Sequence, residues 1–168
     1  LSFVQSEREA GRLKAPVLII CPTSLLGNWQ QEAERFTPDL RVLQVYGSKR
    51  AHLFENLTDY DLLVTTYPLI VRDIAVYQRF KFSLVVLDEA QHIKNSGSQA
   101  AQSVRLLKAD FRLALSGTPL ENHLGELKSL FDFVLPGLLG TEQHFNQVYR
   151  KPIEKQADQE RAHALKQK

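Results

Sequence analysis

The 168-residue sequence contains no methionine and a single cysteine, Cys21. A chain without methionine does not carry its own initiator, so it is read as a piece of a larger protein. One cysteine rules out an internal disulfide framework. Its place at the end of an apolar run reads as a reduced core thiol, suited to a cytosolic or nuclear compartment. No apolar run approaches the roughly 20 residues that cross a bilayer, and no signal peptide is visible, so no membrane partner is expected. No cysteine or second histidine stands at ligand spacing from His92, which argues against a zinc site. Charge of one sign is also lacking. A net charge of +2 neither requires nor excludes nucleic acid, because phosphate contacts can be local and made by hydroxyls and backbone amides. Internal repeats and low-complexity linkers are absent, and 43% hydrophobic content suffices for one domain with a sizeable core.

What is present is a series of short apolar runs, each ending in polar residues. Leu84-Val85-Val86-Leu87 runs into Asp88-Glu89-Ala90-Gln91. It reads as a buried parallel strand delivering carboxylates at its C-terminal end, where open α/β sheets bind ligands. In nucleotide hydrolases the first such acid anchors magnesium, usually through water, and the second orients or deprotonates the attacking water. Val17 to Cys21 runs into Pro22-Thr23-Ser24, Asp61 to Val64 into Thr65-Thr66-Tyr67, and Phe111 to Leu115 into Ser116-Gly117-Thr118-Pro119. Between them, helical patterns predict a doubly wound, mainly parallel α/β sheet with flanking helices.

The local signals divide the chain further. Pro22-Thr23-Ser24 predicts a turn and an N-cap, followed by a helix with Trp29, Ala33 and Phe36 on its core face, stopped at Thr37-Pro38. Arg41 to Tyr46 alternates as a strand. A short helix is expected from Gly47-Ser48 to Leu57, one from Tyr67-Pro68 to Phe80, and one capped by Ser96-Gly97-Ser98 and running to Leu107. Asn122 to Val134 carries apolar residues at helical spacing. Residues 156–168 are polar nearly all round and read as a packed extension or a fraying end.

In order, CPTSLLGNWQQE, LLVTTY, VVLDEAQHIKN and LALSGTPLEN resemble motifs Ia, Ib, II and III of superfamily-2 helicase-like ATPases, and specifically the SNF-type translocases of double-stranded DNA. SGTPLEN, followed by Glu126-Leu127-Lys128-Ser129-Leu130-Phe131, discriminates against RNA helicases. The resemblance implies the first RecA-like lobe of a P-loop NTPase over residues 1–155, with residues 156–168 leading toward a second lobe. It implies ATP and magnesium as cofactors, and double-stranded DNA and the second lobe as partners. Asp88 would anchor magnesium, Glu89 would serve as base, and Gln91 would sense the terminal phosphate. Pro22, Thr23, Ser24, Thr65 and Thr66 would lie against the DNA backbone. Ser116, Gly117 and Thr118 would couple the two sites. His92 reads as a solvated or hydrogen-bonded histidine, and Trp29 as core or half-core.

One family element is missing. None of the 8 glycines is followed by lysine, so the phosphate-binding Gly-Lys-Thr loop and its strand lie outside this sequence. Residues 1–12 would be the rest of the helix which that loop opens. In such lobes the loop's strand pairs beside the motif III strand, so Phe111 to Leu115 should form an exposed edge. The parent is expected to be a DNA-stimulated ATPase and the chain alone inactive. The alternative is a non-catalytic DNA-binding or protein-interaction module that kept the fold, and a Gly-Lys-Thr motif upstream in the parent would decide between them. The insertion-poor spacing of the motifs favours a bacterial parent, cytoplasmic and nucleoid-associated. A eukaryotic parent would be nuclear.

Overall fold

The computed structural model describes residues 1–117, 124–156 and 159–167. Five strands, β1 (Val17–Cys21), β2 (Val42–Gln44), β3 (Leu62–Thr66), β4 (Lys81–Leu87) and β5 (Lys108–Ala114), form one sheet in the order β2-β3-β1-β4-β5. Every pairing is parallel. Consecutive strands are joined by helices or helical turns, as parallel pairing requires. The helices are α1 (Ser2–Glu9), α2 (Leu26–Phe36), α3 (Tyr67–Tyr77), α4 (Gln99–Arg105), α5 (Leu124–Val134), α6 (Glu142–Phe145), α7 (Lys151–Gln156) and α8 (Gln159–Lys166).

The two sheet faces bury different halves of each strand, because successive side chains point to opposite sides. Leu18, Ile20, Leu63, Val85 and Leu87 pack with Ile70, Tyr77, Val104 and Phe133 from α3, α4 and α5. Val17, Ile19, Cys21, Leu62, Val64, Leu84 and Val86 pack on the other face with Val4 of α1 and Leu26 and Ala33 of α2. A smaller cluster of Leu139, Phe145 and Tyr149 gathers the C-terminal helices, and Leu165 of α8 packs against it. Among the described residues of the polar last segment, Leu165 thus docks on this cluster.

Local expectations met mixed outcomes. Ser98 caps α4, its Oγ accepting from the Ala101 N–H at 3.2 Å. By contrast, no side-chain cap bond forms at Pro22-Thr23-Ser24; residues Thr23–Leu25 make a 3-10 turn before α2 begins. The alternating run from Arg41 to Tyr46 pairs only over Val42–Gln44. The segment after Gly47 forms 3-10 turns over Arg50–Asp59, kinked at Asn56, rather than an α-helix. Phe36 is 58% exposed instead of on the core face, because the buried row of α2 is Leu26 and Ala33, seven residues apart. Asn122, at the expected start of α5, lies outside the described residues, as do Thr118 and Pro119.

Among the described residues the sheet ends on β5. On that strand Phe111 is 69% exposed and Leu113 44%. The expectation of an apolar edge at Phe111 to Leu115 thus agrees with the strand order.

Candidate active site

Parity along β4 decides where the acids go. Leu84 and Val86 face α1 and α2, and Asp88 continues that row one residue beyond the strand, so its carboxylate emerges on the α2 side. There Asp88 Oδ2 accepts from the Trp29 indole Nε1–H at 2.9 Å. Its Oδ1 accepts from the Glu89 backbone N–H at 3.0 Å. The Asp88 carbonyl accepts from the Tyr67 hydroxyl at 2.8 Å, and the Asp88 N–H donates to Ile20 O at 2.9 Å. Side chain and backbone are both held.

Glu89 then breaks the strand. Its φ of 51° and ψ of 55° are left-handed, and among the described residues it is the one non-glycine with positive φ. Such a conformation costs free energy for a residue with a Cβ and persists where neighbours impose it. The neighbours are visible: after the turn the Ala90 N–H donates to Leu115 O at 2.7 Å, while the Leu115 N–H donates to Leu87 O at 2.8 Å. The reversal brings Glu89 Oε2 within 2.7 Å of the Gln91 side-chain Nε2–H, which donates to it. Gln91 Oε1 in turn accepts from the Ser116 hydroxyl at 3.1 Å. Glu89, Gln91 and Ser116 therefore form one hydrogen-bonded row between the ends of β4 and β5.

The environment keeps other groups neutral. Burial, and then the Asp88 charge, push the Cys21 thiol up to about 12; it is fully buried and not a thiolate nucleophile. Burial also raises the Tyr67 phenol well above its ordinary value, with the Asp88 charge adding to it, so the phenol keeps its proton. His92 is exposed and stacks on Tyr67, with ring centroids 4.8 Å apart. Among the described residues no group of three His, Cys, Asp or Glu side chains is gathered to hold a metal ion by itself. Nor is any helix there long and apolar enough to cross a membrane.

The residues expected to meet DNA divide. Thr23 and Ser24 are exposed and Pro22 half-buried, at the mouth of β1. Thr65 and Thr66 are buried instead. The Thr65 hydroxyl donates to Val45 O at 2.9 Å, a bond inside the sheet, so neither threonine stands at the surface where a phosphate could reach it. This corrects the expectation for that pair. Both end a strand that lies between β2 and β1, and a central strand covers its side chains on both faces. Gly117 is exposed beside Ser116. The left-handed Glu89 and the Trp29 bond were not foreseen. The parity of Leu84, Val86 and Asp88 held a hint, but only the strand order shows that α2 covers that face.

A family model described as the SNF2-related domain matches residues 1–167. YwqA of Bacillus subtilis is 44% identical across 99% of this chain, which spans 18% of it. The TATA-binding protein-associated factor MOT1 of Saccharomyces cerevisiae is 44% identical across 82% of this chain, which aligns with 8% of that protein. The Sulfolobus solfataricus SWI2/SNF2 ATPase core in complex with dsDNA superposes with a TM-score of 0.86 at 35% identity, over 96% of this chain and 33% of its own. The chain thus spans less than a fifth of the first two proteins.

Proposed function

The chain belongs to the SNF2-related domain family, and from that premise we propose that it is part of the first RecA-like lobe of a DNA-stimulated ATPase that moves along duplex DNA. The observation that carries the reading is the row Glu89–Gln91–Ser116, anchored beside Asp88 where β4 and β5 end. The Sulfolobus core's complex with duplex DNA supports the choice of polymer.

The donor chemistry fits magnesium. Asp88 offers two carboxylate oxygens, each accepting one hydrogen bond, which leaves lone pairs for a hard cation or its water shell. The chain holds no Gly-Lys-Thr loop, so the phosphates would be gripped by a preceding segment. When bound, the cation and nucleotide supply charge neutralisation and the electrophilic phosphorus. The residues here do the rest. Asp88 holds its orientation through the Trp29 indole and the Glu89 N–H. Glu89 uses Oε2 to accept from Gln91, leaving Oε1 to orient a water and take its proton. Gln91 transmits the position of Glu89 to Ser116, and so to Gly117 beside it, as a coupling element; Thr118 belongs to the same coupling set by resemblance. The exposed Pro22-Thr23-Ser24 turn is the DNA backbone contact that remains from the expected set, and such contacts carry no sequence preference. Residues 156–168 lead toward the second lobe. The parent works in a bacterial cytoplasm at the nucleoid, or in a nucleus if it is eukaryotic.

The experiment is phosphate release by the longer protein that carries this chain, with and without duplex DNA, against its Glu89→Gln variant. Duplex DNA should stimulate the unsubstituted protein. The variant should lose at least two decades of turnover, roughly 2.7 kcal/mol of barrier, while still binding nucleotide. Hydrolysis at the unsubstituted rate would make Glu89 a solvated strand-end acid and remove the reading.

A further inference from the structure

Trp29 is the chain's only tryptophan, and helical spacing alone makes it a packing residue. Its geometry says more. The indole N–H donates to Asp88 Oδ2 at 2.9 Å across a separation of 59 residues. The ring packs half-buried against the core formed with α1 and α2. It also lines an open cleft of about 460 Å³ together with Leu25, Phe36 and Asp88. The cleft's polar lining includes Asn28, Glu32 and Ser2, yet the indole is the group that donates to Asp88 Oδ2.

We propose that Trp29 is a positioning residue for the magnesium anchor: its indole N–H fixes the rotation of the Asp88 carboxylate and so sets the affinity of the site for the cation. The inference rests on the functional reading above. Its physical basis is the two-point clamp. The Glu89 N–H holds Oδ1 and the indole holds Oδ2, so the carboxylate plane cannot turn without breaking one charge-assisted bond. Outer-shell donors that orient a ligating carboxylate typically change metal affinity by about 10–100-fold when removed. Because Trp29 sits on α2, one turn beyond the Pro22–Ser24 loop, a contact made by that loop could also reach the anchor through a single rigid helix.

The test uses the longer protein that carries this chain, with Trp29→Phe, which keeps an aromatic ring but lacks the donor. The primary readout is magnesium-dependent binding of a fluorescent ADP analogue, measured as the magnesium concentration giving half-maximal binding. That concentration should rise by about tenfold or more, whereas binding of the analogue in EDTA should stay as it was. A second readout needs no change at Trp29. In spectra of protein with ¹⁵N-labelled indoles, Asp88→Ala should shift the Trp29 N–H signal, identified by its loss in Trp29→Phe, and Glu89→Gln should leave it in place. An unchanged or lowered magnesium requirement in Trp29→Phe would overturn the inference. So would an indole signal indifferent to Asp88→Ala. If the unsubstituted protein binds the analogue without any magnesium dependence, the functional reading falls and takes this inference with it. Magnesium dependence in the unsubstituted protein, equal in the variant, removes only the role of Trp29.

Discussion

β4 and β5 are neighbours of equal length, seven residues each, paired in parallel along most of their course. They are nonetheless opposite kinds of strand. β4 has neighbours on both sides, and its residues from Leu84 to Leu87 are buried. Among the described residues β5 pairs on one side only, and Phe111 and Leu113 are exposed although both are apolar. Apolar residues on both faces of a strand are the mark of a covered, central position. β5 lacks that mark: Ala109, Phe111 and Leu113 on one face alternate with Lys108, Asp110 and Arg112 on the other, and the strand order places it at the edge. The difference teaches that burial is a property of strand order, which a strand's own residues state only as a requirement. It also matters for the site, because Glu89 and Gln91 follow the secure strand while Ser116 follows the exposed one, and the row joining them spans both.

Breaking that comparison is possible by truncating one side chain from each strand. Leu87→Ala empties a fully buried position and should cost about 2–5 kcal/mol. Leu113→Ala, 44% exposed in the chain, should cost under about 1 kcal/mol. Urea denaturation of both variants measures the gap. Equal losses would mean that β5 is packed as tightly as β4.

Thr65 and Ser24 extend the contrast from strands to hydroxyls. Thr65→Val removes the donor to Val45 O inside the sheet and leaves a buried carbonyl without it, a loss of about 1–2 kcal/mol in stability. Ser24→Ala, in an exposed turn without a side-chain cap bond, should leave stability within about 0.5 kcal/mol and weaken binding of the longer protein to duplex DNA. Fluorescence anisotropy with two unrelated duplexes checks the second half. A DNA defect confined to one sequence would argue against a backbone contact.

Native-state hydrogen exchange sharpens the comparison amide by amide. The amides of Val85 to Leu87 should exchange through global opening, and those on the outer side of β5 through smaller fluctuations. Uniform protection along both strands would show that something covers the β5 edge in solution.

A modest effect is expected outside both strands, at Asp61 before β3. Burial alone would raise its carboxyl, but bonds from the Arg41 guanidinium and N–H outweigh burial and leave it below the ordinary carboxylate value. A depressed folded value stabilises the fold above the unfolded pKa, and that contribution disappears as pH falls through the folded one. Asp61→Asn should therefore destabilise at neutral pH by about 1 kcal/mol. The difference should fade in acid below the ordinary carboxylate range. Thermal denaturation of both proteins across pH gives the test; a difference that grew toward acid would reverse the assigned direction.

Much of the fold was legible because its causes are local. Runs such as Val17 to Cys21 and Leu84 to Leu87 are too apolar for anything but a covered strand, and the polar residues that end them gather at one end of the sheet. Asp88, Glu89, Gln91 and Ser116 were named as candidates from those strand ends and from their resemblance to ordered motifs, and the structure brings them together. The expected edge at Phe111 to Leu115 agrees with the strand order among the described residues. Other features depend on which strands become neighbours, and no window of sequence contains that. Thr65 and Thr66 looked like surface hydroxyls until β3 took its place between β2 and β1. Trp29 looked like packing until α2 settled on the face where Asp88 emerges. Glu89 showed no preference for a left-handed backbone; that conformation is imposed by bonds linking Ala90, Leu115 and Leu87. Sequence by itself determined the main strands and helices and the family, since these follow from side-chain type and spacing. Tertiary structure alone decided which polar groups face solvent, which face one another, and which are spent inside the sheet, because long-range pairing sets every one of those distances.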